Sequence, residues 1–99
     1  MINHVVLFKL KDYPAEEKTE IIAELKAMLL GLKGKIAELK HIEVGENYEL
    51  DSKSFDLALI THFESVEDLD VYRVHPEHMK VVKRVGETTE ARAAVDFNF

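Results

Sequence analysis

The sequence predicts an α+β domain in which strands and helices follow the order β-α-β-β-α-β. Strand-like runs open and close the chain, an apolar stripe at helical spacing follows the first run, and a second helical segment precedes the last. The chain has 99 residues, of which 46% are hydrophobic, so we expect residues 1–99 to form one domain with a modest core.

The first strand is predicted over residues 2–11, where β-branched and aromatic residues dominate. Asp12 is the expected cap of the first helix, and Pro14 falls just inside it. Gly34 is the expected end of this helix, because glycine is frequent directly after a helix C-terminus. The helix should face the core through an apolar stripe made of Ile21, Ile22, Leu25, Met28, Leu29 and Leu32.

Three further strands are predicted. A weaker strand covers residues 36–48, a polar connection follows over 49–54, and the clearest strand of the chain covers 55–64. The last strand covers residues 92–99. Together with the first strand, these segments predict an antiparallel four-stranded sheet with its helical segments on one face.

The second helical segment begins at Ser65, in a pattern that resembles a capping box. It runs to Val74, is interrupted at His75 and Pro76, and resumes as far as Gly86, its expected end. With this segment placed, the element order is that of the ferredoxin-like fold.

Side-chain alternation divides the sheet into a helix-facing side and an opposite side. The bulky helix-facing set is expected to be His4, Val6, Phe8, Leu10, Phe55, Leu57, Leu59, Thr61, Phe63, Val95, Phe97 and Phe99. The opposite side carries an apolar patch of Val5, Leu7, Ala58 and Ile60. Such patches usually mark interfaces, so we expect a homodimer that packs through its sheet faces as a closed α+β barrel. A monomer with scattered exposed aliphatics is the alternative.

Charge and composition exclude several classes of partner. The net charge of −6 argues against nucleic acid and against anionic membrane surfaces. No apolar run approaches the roughly 18 residues of a membrane span, and no signal-peptide pattern is present, so we expect a cytoplasmic protein. The absence of cysteine excludes disulfides and thiolate chemistry.

A phenol and two imidazoles lie close together at the start of the resumed helix: Tyr72, His75 and His78. A tyrosine beside a histidine supplies a proton donor next to an acceptor that works near neutral pH. Alternation places His4 and Leu57 on the side of the sheet that this segment covers, so a shared cavity is expected. The tyrosine and histidine either perform acid–base chemistry on a small molecule or form a buried polar cluster whose hydrogen bonds are made within the protein. For His75, which directly precedes Pro76, a capping or hinge role is favoured.

Metal and cofactor sites are not indicated by the motifs. His75 and His78 are three residues apart and lack the (i, i+4) spacing and acidic third ligand of a zinc helix. No phosphate-binding loop or nucleophile elbow is present. We therefore expect neither a bound metal nor a cofactor.

Two segments carry a resemblance to a known family. Residues 3–11 resemble the opening strand of the stress-responsive A/B barrel (Dabb) family, and residues 63–68 with Tyr72 and the His-Pro-Glu-His segment 75–78 resemble its second signature. The resemblance implies a ferredoxin-like fold and a homodimeric α+β barrel. In the olivetolic acid cyclase branch of the family, the histidine matching His78 is the general base and the tyrosine matching Tyr72 polarises the substrate.

The same branch has pocket residues matching His4, Lys26 and Leu57. His4 is retained, whereas Lys26 replaces a tyrosine and Leu57 replaces a histidine, so the polyketide substrate does not carry over. The residues expected to bind substrate, beside catalytic His78 and Tyr72, are His4, Lys26, Leu57 and His75.

The resulting hypothesis is a stress-responsive barrel protein that binds a compact apolar or aromatic molecule, with cofactor-independent cyclase- or lyase-like acid–base chemistry. Two alternatives belong to other classes. One is a non-catalytic stress-associated protein for assembly or ligand storage. The other is a cofactor-free monooxygenase of the wider dimeric barrel group.

Overall fold

The computed structural model describes residues 1–49 and 53–99, so the predicted polar connection lies partly outside the described residues. The elements in chain order are β1 (Ile2–Leu10), α1 (Ala15–Leu30), β2 (His41–Glu46), β3 (Leu57–Phe63), α2 (Val66–Val74), α3 (Pro76–Thr88) and β4 (Thr89–Asn98). The strands form one antiparallel sheet in the order β2-β3-β1-β4, which confirms the predicted ferredoxin-like arrangement. Within the described part of the chain, no helix is long and apolar enough to cross a membrane.

The core lies between one side of the sheet and the helices. The predicted helix-facing residues of the two central strands, β1 and β3, are buried, as Val6, Phe8, Leu59 and Phe63 illustrate. The apolar stripe of α1 packs onto this side with four buried residues, which are Ile21, Ile22, Leu25 and Leu29. The alternation in β1 and β3 and the helical period of α1 are thus confirmed.

The ends of α1 differ from the prediction. Asp12 does not cap the helix, because Pro14 occupies the cap position and no side-chain hydrogen bond is made there. The helix ends at Leu30, and the following Gly31 N–H donates to the Ala27 carbonyl. Gly34 has a φ of 93° and lies in the turn beyond the helix, where its lack of a side chain permits this conformation.

Other boundaries also differ from the prediction. β2 is much shorter than residues 36–48, because Ile36 and Leu39 are buried in the turns that lead into it. The spacing of apolar residues over so short a segment does not show whether the segment is a buried turn or a strand. Helix α3 continues through Gly86 to Thr88, and β4 begins directly afterwards, before the predicted residue 92.

The predicted faces of β4 are reversed in the structure. Cross-strand pairing places His4 opposite Asp96 and Phe8 opposite Arg92. Directly opposed residues share a face, so Arg92 and Asp96 lie on the helix side, whereas Val95 and Phe97 lie on the other side. The prediction that bulky residues of β4 meet the helices was wrong, because β4 is an edge strand whose described residues from Glu90 onward are all exposed.

The reversal enlarges the apolar surface on the side of the sheet away from the helices, which we call the open face. It comprises Val5, Leu7, Ala58, Ile60, Val95 and Phe97. Val95 is 56% exposed, Phe97 45% and Leu7 37%. Surfaces of this kind are uncommon on monomers unless they bind something.

A buried carboxylate ties β1 to the segment that precedes β3. Asp56 is 1% exposed, and its Oδ2 accepts a hydrogen bond of 2.8 Å from the Leu10 N–H. This bond lies at the register shift between Lys9 and Leu10, where regular β1–β4 pairing is interrupted. Asp56 therefore supplies an acceptor for the Leu10 amide at the bulge.

We expect Asp56→Ala to lower the free energy of unfolding by about 2 kcal/mol, because the buried Leu10 N–H loses its acceptor. Urea unfolding at pH 7 measures the effect. Glu20→Ala, at an exposed position of α1, is the control and should change stability by less than about 0.5 kcal/mol. Equal stability of the two variants would contradict this role of Asp56.

Candidate functional site

A cavity of about 360 Å³ lies between the sheet and α3. Aliphatic and aromatic side chains of β1, β3, α1 and α3 form most of its wall. Its charged and titratable groups are His4, Arg73, His78, Arg92 and Asp96. The volume lies within the range of about 300–1,000 Å³ that is usual for small-molecule sites.

The junction between α2 and α3 positions the histidines. Ser65 caps α2, since its side chain accepts a hydrogen bond from the Asp68 N–H. His75 is extended at the junction, and its Nδ1 accepts a hydrogen bond of 3.1 Å from the Glu77 N–H. His75 thus caps α3 ahead of Pro76, which agrees with a capping role for this residue.

Tyr72 and His78 are brought together by this junction. Their ring centroids are 4.1 Å apart, and Tyr72 is completely buried against Phe63 and His78. The His78 Nδ1 lies 3.2 Å from the Arg73 carbonyl oxygen. Because a carbonyl oxygen only accepts, Nδ1 carries the proton, and Nε2 keeps its lone pair as a base.

The pKa values of the two groups favour a donor and an acceptor at neutral pH. Burial lowers the pKa of His78, the hydrogen bond to the Arg73 carbonyl opposes this effect, and the nearby His4 and Arg92 lower it further. His78 is therefore mainly neutral at pH 7. Burial raises the pKa of Tyr72 to about 12, so its hydroxyl remains protonated.

The Tyr72 hydroxyl is a buried polar group without a hydrogen-bond partner among the described residues. Buried hydroxyls in proteins are nearly always hydrogen-bonded, and an unpaired one destabilises the fold. The two rings touch, but the hydroxyl does not bond to His78. The alternative of a structural cluster thus fits His78, which bonds a backbone carbonyl, but it leaves the Tyr72 hydroxyl unpaired among the described residues.

A second polar group at the cavity connects His4, Asp96 and Arg73. The His4 Nδ1 bonds to Asp96 Oδ1, and Arg73 bonds to Asp96 Oδ2 at 2.9 Å. His4 is only 7% exposed. Sequence reasoning missed Asp96 because it assigned this residue to the opposite face. The sequence did contain a signal: Arg92 and Asp96 are at even positions, so they share one face of β4, whereas Val95 and Phe97 are at odd positions and share the other.

The structure brings some predicted site residues together and separates others. His4 and His78 line the cavity, whereas Tyr72 contacts His78 and is not among the described residues that line it. Three predicted substrate-binding residues, Lys26, Leu57 and His75, are not among the described residues that line it. Lys26 instead lies 3.9 Å from Glu46 in an ion pair, and Leu57 is buried opposite Phe8. Within residues 1–49 and 53–99, no cluster of three or more histidine and acidic side chains could hold a metal ion.

This combination of fold and site defines a class: ferredoxin-like proteins with a small-molecule-sized cavity between sheet and helices. The model of the family described as Stress responsive A/B Barrel Domain matches residues 2–99. The chain belongs to this family.

Curated relatives include two proteins of Arabidopsis thaliana. Stress-response A/B barrel domain-containing protein DABB1 is 29% identical over 98% of this chain and 46% of its own length. A second stress-response A/B barrel domain-containing protein of the same plant is 35% identical over 84% of this chain and 30% of its own length. The chain thus spans less than half the length of either relative.

Two solved structures illustrate the range of the fold. A dimeric protein of unknown function and ferredoxin-like fold from Bacteroides fragilis is 38% identical, with a TM-score of 0.90 over 99% of this chain and 95% of that chain. A hydroxynitrile lyase from Passiflora edulis is 18% identical, with a TM-score of 0.80 over 97% of this chain and 90% of that chain. At that identity the second likeness shows the fold alone.

We expect Tyr72→Phe to leave the free energy of unfolding unchanged or to raise it by up to about 1 kcal/mol, because it removes an unpaired buried hydroxyl. Urea unfolding of both proteins gives the comparison. The control is Thr61→Val, whose hydroxyl is also buried but donates to the His4 carbonyl at 3.1 Å. Thr61→Val should lose about 1 kcal/mol. A similar loss in Tyr72→Phe would show that the hydroxyl has a stabilising partner.

Proposed function

We propose that this protein binds a compact apolar or aromatic carbonyl compound in the sheet–helix cavity and catalyses proton transfer on it without a cofactor. Tyr72 carries the proposal, because its buried hydroxyl has no partner among the described residues and lies beside a neutral imidazole at the cavity. Groups held unsatisfied at a structural cost are typical of functional sites.

The chemistry follows from the protonation states of the two groups. The His78 Nε2 accepts a proton from the carbon next to the carbonyl. The Tyr72 hydroxyl would donate a hydrogen bond to the carbonyl oxygen as it gains charge, which requires the ligand-bound state to expose this hydroxyl, since Tyr72 is completely buried and outside the described cavity lining. Return of the proton from Nε2 to carbon regenerates the base. His4 is held by Asp96 through Nδ1, and its ring contributes a further polar group to the cavity wall. Cyclase- and lyase-like reactions share this proton-transfer step.

The second part of the proposal is a cytoplasmic homodimer that forms through the open face. Six apolar residues contributed by β1, β3 and β4 support it, and the related Bacteroides fragilis protein, at 38% identity, is dimeric. Two sheets packed face to face would remove this surface from water, which is the main driving force for obligate association.

Exchange of the α-protons of 2-tetralone in D2O tests the catalytic part. Proton NMR at pH 7 should show that the protein accelerates exchange by at least about 100-fold, in the range typical of general acid–base catalysis. His78→Ala should remove the acceleration, because the base is lost. Gly86→Phe should also remove it, because a ring built at this cavity-lining glycine begins in open space and enters the site.

The matched control is Glu87→Phe, which adds the same ring to α3 at the next, exposed position, outside the cavity lining. This variant should retain the acceleration. If 2-tetralone shifts the methyl resonances of Val81 and Val85 without any enhanced exchange, the non-catalytic, ligand-storage alternative is favoured. If it shifts none of them, the cavity does not bind this class of molecule.

We expect Val95→Lys to convert the dimer into a monomer, because two charges would be buried in the interface without partners. Light scattering coupled to size-exclusion chromatography at micromolar protein measures the mass. The control is Val74→Lys at the end of α2, where the side chain is 73% exposed. It should leave the dimer intact. A wild-type mass equal to that of a single chain would refute the interface.

A further inference from the structure

We propose that the ligand of the sheet–helix cavity carries a carboxylate and that Arg92 binds this group. The inference rests on the function proposed above and adds the chemical class of the ligand.

Arg92 belongs to the cavity through the register of β4. It lies opposite Phe8, a buried residue of the helix-facing side, and it is among the residues that line the cavity. Its charge acts on the imidazole of His78, whose pKa it helps to lower. Arg92 and the proposed base therefore share one electrostatic environment.

The other charges of the cavity are paired. Arg73 is held by Asp70 at 3.0 Å and by Asp96 at 2.9 Å, and the second oxygen of Asp96 bonds to His4. In the described part of the chain, Arg92 makes no ion pair or hydrogen bond through its side chain. The sequence holds 19 acidic residues against 13 basic ones, so the missing partner does not reflect a shortage of acids.

The lining therefore has a net charge of +1 when both histidines are neutral: Arg73 and Arg92 are positive, and Asp96 is negative. The rest of the wall is mainly aliphatic and aromatic. One guanidinium matches one carboxylate in geometry and in charge. A dianionic phosphate would leave excess negative charge against an apolar wall, which is unfavourable. The site is thus suited to an apolar or aromatic carboxylic acid.

Two matched probes test this inference: 2-naphthoate and its neutral analogue 2-naphthamide. Isothermal titration calorimetry at pH 7.5 should show that the wild type binds the carboxylate at least about 10-fold more tightly, as expected for a charged hydrogen bond. Arg92→Met keeps the aliphatic stem and should reduce the preference to about 2-fold or less, while 2-naphthamide binds as before. Arg92→Lys should restore part of the preference.

Arg84→Met is the control for long-range attraction. It removes the same charge from α3, where Arg84 pairs with Glu24 away from the cavity lining. This variant should keep the full preference for 2-naphthoate. A second measurement needs no variant: raising NaCl from about 50 mM to about 500 mM should weaken binding of 2-naphthoate more than that of 2-naphthamide.

Equal affinity of the wild type for the two probes would overturn the inference, and so would a preference that persists in Arg92→Met. In either case, binding of 2-naphthamide that is lost in Gly86→Phe would leave the proposed cavity function standing. If neither probe binds, the cavity proposal and the carboxylate inference fall together.

Discussion

The central position of β1, hydrogen-bonded to β3 on one side and to β4 on the other, is the constraint on which the rest of the molecule depends. Its alternating side chains fix both surfaces of the sheet at once. His4, Val6 and Phe8 set the floor of the helix side, and Val5 and Leu7 set the centre of the open face. A shift of one residue would exchange the two sets and remove the site and the apolar surface together.

The candidate site arises where helix coverage of the sheet ends. The helices cover β1 and β3 but leave the edge strand β4 exposed, so polar residues of β4 approach the cavity from the side. The α2–α3 junction, capped by His75, then places His78 at that cavity and packs the buried Tyr72 ring against it. The cavity is therefore lined by a neutral base and a cation, and a protonated phenol contacts the base. The Tyr72 hydroxyl is buried without a partner in the part of the chain that the structure describes, and such a group is not expected to stabilise a fold.

The sequence predicted a large part of the fold and a smaller part of the site. The element order, the faces of β1 and β3, the stripe of α1 and the break at Pro76 all follow from local patterns of period and capping, and the structure confirms them. Of the four residues expected at one cavity, the structure places His4 and His78 in its lining and Tyr72 and Leu57 outside it. Lys26 was expected there by resemblance to a family branch, and Leu57 by that resemblance and by strand alternation. Both pack at the β2 end of the molecule instead.

The sequence by itself determined which residues form the central strands and helices, because each of these elements buries one side and its apolar residues therefore recur at a regular spacing. Only the tertiary structure decided the role of β4. This edge strand is exposed on its helix side and apolar on its open side, so the size of its side chains gives the wrong orientation. Its register with β1 is a contact between the two ends of the chain, and that contact alone brings Asp96 to His4 and Arg92 to the cavity.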